Sequence, residues 1–262
     1  MPFPNVRLAN RPLHFIYLCD CSGSMAAQGK MQALNQAIRQ SIPGMVKVAR
    51  ENPEARVLVR AVSFADRAHW HIAEPTAVDQ LQWVDLQAGG ITAMGEALEL
   101  VSEQLNSPPM EERALPPVLV LISDGQPTDE FEEGLKKLMQ LPWAQKAVRL
   151  AIAIGHDANL DVLQDFIGPD AGNTLPEVEL IDGDGQRHQL SQGTLNSARR
   201  PMQASNATAL AQYIEWASTA VVGAASMPVS RTEGSGSNSN IPLPDLPPTL
   251  IDPIQDVGPV VW

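Results

Sequence analysis

Short, continuously apolar runs alternate with stretches of helical periodicity from about residue 13 to residue 222, and this alternation constrains the chain more than any other feature. His14 to Cys19 reads as a buried strand bounded by Pro12 and by a loop at Gly23. Val57 to Phe64 is a second strand, with Ala68 to Ile72 as its hairpin partner. Pro116-Pro117 introduces Val118 to Ile122, a run of the kind buried inside parallel sheets, and Val148 to Ile154 is another. Between them lie amphipathic stretches. One spans about Lys30 to Arg50, with Met31, Leu34, Ala37 and Ile38 on one face, and Pro43-Gly44 is expected to kink or interrupt it. Another spans Ala93 to Leu105 and buries Met94, Ala97, Leu98, Val101 and Leu105. Thr128 or Asp129 can cap a following helix whose first turn carries Glu130, Glu132 and Glu133. Asn206 starts a last helix from about Ala207 to Val222. Such alternation predicts an α/β fold: a doubly wound, mostly parallel central sheet flanked by helices.

Two regions depart from the pattern. Residues 169 to 205 read as a polar insertion, with a hairpin of Val178 to Ile181 and Arg187 to Leu190 around Asp182-Gly183-Asp184-Gly185. Residues 223 to 262 change composition: a Gly/Ser/Asn linker, Gly234 to Asn240, leads into interleaved Leu, Ile and Pro. The expected division is therefore one domain over 1 to 222 and a linker with a Pro-rich apolar tail over 223 to 262.

Charge narrows the function. Lys and Arg number 18 against 30 Asp and Glu, a net charge of −12, so nucleic acid and anionic membrane surfaces are not expected partners. The apolar runs are strand-sized, far below the roughly 20 residues a bilayer requires. The N-terminus has no basic start followed by an apolar block. Cys19 and Cys21, the two cysteines, are too close in sequence for an unstrained bridge, which points to reduced thiols and a cytoplasmic protein.

In a doubly wound sheet, ligands gather at the carboxyl ends of the central strands. Here those ends carry oxygen donors: Asp20, Ser22 and Ser24 after the first strand, Thr92 just before a helix, and Asp124 after Val118 to Ile122. Alternate residues on a loop turning over Gly23 can aim three side chains inward. Two carboxylates and three hydroxyls suit a hard divalent cation, Mg²⁺ or Mn²⁺. Neutral hydroxyls leave much of the metal's charge uncompensated, so the site favours an added carboxylate from a partner.

The order Asp-x-Ser-x-Ser, distant Thr, distant Asp resembles the von Willebrand factor A domain with its metal-ion-dependent adhesion site. Gly89 to Leu98, Ser123 to Asp129 and Ala151 to Gly155 are similar to the bacterial TerY-like branch associated with tellurium resistance. The resemblance covers about residues 12 to 168 and 206 to 222. It implies a non-enzymatic interaction module, working with a Ser/Thr kinase and a metal-dependent protein phosphatase in stress or tellurite signalling. A partner of a chaperone-like AAA+ ATPase is the alternative.

Other readings stand beside these. A haloacid-dehalogenase-like phosphatase also places Asp and Mg²⁺ after a first strand, but it needs a second acid where this chain has Ser22. His69 and His71 share a strand face without an evident third zinc ligand, and Asp182 to Gly185 suits a turn better than a calcium loop. Cys19 reads as a small buried apolar residue of the strand, and Cys21, beside the metal loop, has a redox-sensitive thiol as its alternative reading. The apolar tail either docks on a partner or packs on its own domain, and Thr249-Leu250-Ile251-Asp252 has the form some phosphothreonine readers accept.

Overall fold

The computed structural model describes residues 11–168, 179–181, 187–189, 200–226 and 246. In chain order the strands are β1 (Arg11–Asp20), β2 (Ala55–Phe64), β3 (Ala68–Ala77), β4 (Val118–Ser123), β5 (Val148–Ile154), β6 (Glu179–Ile181), β7 (Arg187–Gln189) and β8 (Met202–Ala204). The helices are α1 (Lys30–Glu51), α2 (Met94–Gln104), α3 (Phe131–Met139), α4 (Pro142–Lys146), α5 (Leu160–Ile167), α6 (Ala207–Trp216) and α7 (Val222–Ser226). Six strands form one sheet in the order β3-β2-β1-β4-β5-β8, and β6 and β7 form a separate antiparallel pair. Every neighbour pair in the large sheet is parallel except β2 with β3. The predicted doubly wound architecture is therefore the observed one.

Alternation along the strands divides the core. Leu13, Phe15, Tyr17 and Cys19 of β1 join Val120, Ile152 and the buried faces of α1 and α6 in one cluster. Ile16 and Leu18 face the other way, with Leu119, Leu121 and residues of α2, α3 and α5. The central strands thus have helices on both faces, which is why β4 is apolar without interruption over Val118 to Ile122 and β1 and β5 nearly so. Tyr17 Oη and Ser218 Oγ lie 2.8 Å apart, satisfying a polar group within the first cluster, and burial pushes the phenol up to about 12.

Three expectations change. Pro43 does not interrupt α1, which runs unbroken through it; Leu34, Ile38, Ser41 and Met45 on either side are buried, so packing outweighs the lost hydrogen bond. Neither Thr128 nor Asp129 caps α3, which begins at Phe131 after Glu130 without a side-chain cap. The last helix does start at an Asn206 cap, with Oδ1 accepting from Ala209 N–H at 2.9 Å, but it widens into a π-turn over Ala217–Val221 and continues to Ser226. Leu246, in the tail, is buried in the first core cluster. The Asp182 to Gly185 turn and the Thr249 to Asp252 motif lie outside the described residues. Among the described residues, no helix is long and apolar enough to cross a membrane.

Candidate metal centre

β1 pairs with β2 on one side and β4 on the other, so the chain's winding reverses between β1 and β4. A crevice opens where neighbouring connections leave in opposite directions, and ligands bind there. Asp20 is the last residue of β1, and Asp124 follows the end of β4.

The loop after β1 is tied down before it reaches its hydroxyls. Ser22 N–H donates to Asp20 Oδ1 at 2.8 Å, and Gly23 N–H donates to Gly90 O at 3.0 Å. Gly89 N–H donates to Cys21 O at 2.8 Å, so the loop before α2 is bound to the loop after β1 from both sides. Gly90 has φ of +86°, and a Cβ there would stand 2.6 Å from Asp66 Oδ1. Only glycine fits that bend without strain. Asp66 Oδ1 then accepts from Ile91 N–H at 3.0 Å, fixing the residue before Thr92.

The side chains converge. Ser22 Oγ and Ser24 Oγ are 2.9 Å apart, and Ser24 Oγ donates to Asp124 Oδ1 at 2.7 Å. Ser123 Oγ donates to Asp20 Oδ2 at 2.6 Å. A Cβ placed on Gly125 would lie 3.8 Å from Thr92 Oγ1 and 4.0 Å from Ser24 Oγ, so the threonine faces the same space as the serine. The structure therefore brings together all five positions that the sequence singled out. Asp20, Ser22, Thr92 and Asp124 are buried, while Ser24 is exposed at the mouth. Burial raises the Asp20 carboxyl above its usual range, against the hydrogen bonds from Ser123 and Ser22 that lower it; Asp124 adds to the rise.

Such a donor set fits a small hard divalent cation: all oxygen, two carboxylates, three hydroxyls, no soft ligand. Among the described residues, no group of three or more His, Cys, Asp or Glu side chains is placed to hold a metal. That disfavours the zinc reading of His69 and His71; His71 Nε2 is instead 2.8 Å from Val84 O, and its ring lies against Trp83. Cys21 is buried, and burial pushes its thiol up to about 12, with Asp20 adding to the rise, so a reactive thiolate is disfavoured.

One participant escaped the sequence reading. Lys30 Nζ lies 2.7 Å from Asp124 Oδ2, and both side chains are buried. The two residues are 94 positions apart, and nothing local signals the pair.

The von Willebrand factor type A domain model matches residues 16–178, more than half of the chain. No curated protein matches. Among solved structures, proximal thread matrix protein 1 of the mussel byssus is 13% identical with a TM-score of 0.55, over 82% of this chain and 49% of its own. A von Willebrand factor type A protein from Catenulispora acidiphila is 17% identical with a TM-score of 0.50, over 80% and 42%. The pilus adhesin SpaC from Lactobacillus rhamnosus GG is 13% identical with a TM-score of 0.51, over 81% and 31%. The chain thus spans less than half the length of each, and at these identities the likeness is one of fold. With the family match over residues 16–178 and the sheet order above, this chain belongs to the von Willebrand factor type A domain family.

Proposed function

We propose that this protein is a non-enzymatic, metal-dependent protein-interaction module. The observation that carries the reading is the convergence of Asp20, Ser22, Ser24, Thr92 and Asp124 at the reversal point of the sheet. These five residues would hold Mg²⁺ or Mn²⁺, and the bound cation would supply a Lewis-acidic position for a partner's Asp or Glu carboxylate. The chain's own residues prepare that position. Asp20 is fixed by Ser22 N–H and Ser123 Oγ, Ser24 links to Asp124, and Ile91, 54% exposed, offers an apolar contact beside Thr92. A groove of about 350 Å³ runs along α1, lined by Met31, Asn35, Arg39, Asp85, Leu86 and Ala88. Ala88 directly precedes the two glycines that lead to Thr92, which supports reading the groove as a second contact for the partner chain.

The haloacid-dehalogenase alternative would need an acid two residues beyond Asp20. That residue is Ser22, whose Oγ is engaged with Ser24, so the acid of that mechanism is not at its position. The resemblance to the TerY-like branch supports a finer reading: a scaffold joining a Ser/Thr kinase to a metal-dependent protein phosphatase in cytoplasmic stress signalling. The test is binding of a purified Ser/Thr kinase and a metal-dependent protein phosphatase from the same organism, with Mg²⁺ or with a chelator, for wild type and Asp124→Ala. Binding that needs both the metal and Asp124 supports the reading. Binding that is indifferent to both contradicts it.

A further inference from the structure

The metal centre contains a cation of its own. Lys30 opens α1 and is 6% exposed, and its one ion-pair partner among the described residues is Asp124. Asp124 divides its oxygens: Oδ1 accepts from Ser24 Oγ and Oδ2 from Lys30 Nζ, each at 2.7 Å. A carboxylate suited to a divalent cation is therefore already neutralised by an ammonium.

This placement runs against two ordinary preferences. A desolvated ammonium carries a penalty that its partner must offset. The first turn of a helix, with its exposed N–H groups, disfavours cations. An acid or a small polar residue would start α1 at lower cost, so helix formation does not explain the lysine. Charge at the centre does. Asp20 and Asp124 carry two negative charges, and a divalent cation alone would balance them. With Lys30 present, the loaded centre is left with one positive charge over, in surroundings that screen it weakly.

We propose that Lys30 is a tethered counter-cation that weakens the centre's hold on a divalent metal alone and couples metal retention to an acidic partner group. This rests on the metal-binding reading above and deepens it: the surplus charge is relieved when a carboxylate arrives, so metal and acidic partner each strengthen the binding of the other.

The test is titration of Mn²⁺ into the chelator-treated full chain by calorimetry, for wild type, Lys30→Met and Lys30→Arg, with and without sodium acetate as the carboxylate probe. Near-UV circular dichroism confirms the fold of each, and Lys30→Gln replaces Lys30→Met if the latter does not fold. Lys30→Met is expected to bind Mn²⁺ at least about tenfold more tightly, since one like charge has gone from the site. Lys30→Arg should stay close to wild type, and acetate should improve Mn²⁺ binding more in wild type than in Lys30→Met. Equal or weaker Mn²⁺ binding by folded Lys30→Met overturns the proposal, as does equal enhancement by acetate. If wild type binds Mn²⁺, Asp20→Ala does not, and Lys30→Met matches wild type, the metal centre stands and the counter-cation falls. If none of the variants binds, both fall.

Discussion

Asp129 Oδ1 accepts a hydrogen bond from Gly95 N–H at 2.9 Å, so an aspartate from the connection between β4 and α3 caps the first turn of α2. Its other oxygen takes Glu96 N–H, also at 2.9 Å. The same connection holds Thr92 on two sides: Thr92 N–H donates to Thr128 Oγ1 at 3.1 Å, and Thr128 N–H donates to Thr92 O at 2.9 Å. The chain that leaves Asp124 therefore positions the threonine of the candidate metal centre. Replacing Asp129 by Ala should lower unfolding free energy by about 1–2 kcal/mol, the range of a lost helix cap. Urea unfolding measures this, and an unchanged midpoint would remove the cap from the account.

The contact between α2 and α3 leaves no room for side chains at two glycines. A Cβ on Gly134 would lie 2.6 Å from Gly95 O, and one on Gly95 would lie 2.8 Å from Glu130 O. Gly134→Ala should cost about 1–3 kcal/mol through overpacking. Gly89→Ala, where nothing stands within 4 Å, is the control and should stay within about 0.5 kcal/mol of wild type. Equal melting temperatures for wild type and Gly134→Ala would mean the two helices stand further apart.

The thiols of Cys19 and Cys21 are both buried, and burial raises both. With burial pushing the Cys21 thiol up to about 12, little of it is thiolate at pH 8. Native protein should react slowly with a disulfide reagent at that pH, and denatured protein should release two equivalents at once. Prompt reaction of the native chain would restore the redox reading of Cys21.

Much of the fold was readable because it is encoded locally. The central strands are mostly apolar, and Asp20, Ser22, Ser24 and Asp124 sit at or just after strand ends that the pattern marks, with Thr92 just before α2. What escaped is tertiary. Asp129 has the chemistry to cap either of two helices, and only packing assigns it to α2. Helix α5 has an Asn159 cap, with Oδ1 accepting from Asp161 and Val162 N–H, but at eight residues it falls near the lower limit of a readable period. β8 has three residues and borrows its register from β5. Lys30 looked like an ordinary first-turn residue because its partner lies in another loop.

Leu246 is 5% exposed within the cluster that contains Leu13, Tyr17 and Trp216. Its truncation to Ala should destabilise the chain by about 2–5 kcal/mol, as for other buried leucines. Thermal unfolding of Leu246→Ala beside wild type decides it. No loss of stability would show that this leucine contributes no core packing in solution.

The central claim is that Asp20, Ser22, Ser24, Thr92 and Asp124 form one divalent cation site. Its most direct measurement is calorimetric titration of Mg²⁺ and Mn²⁺ into wild type and Asp20→Ala, both checked for native circular dichroism. Saturable binding of one cation per wild-type chain, lost in Asp20→Ala, is the predicted result; equal binding by the two folded proteins would place the metal elsewhere and contradict the account.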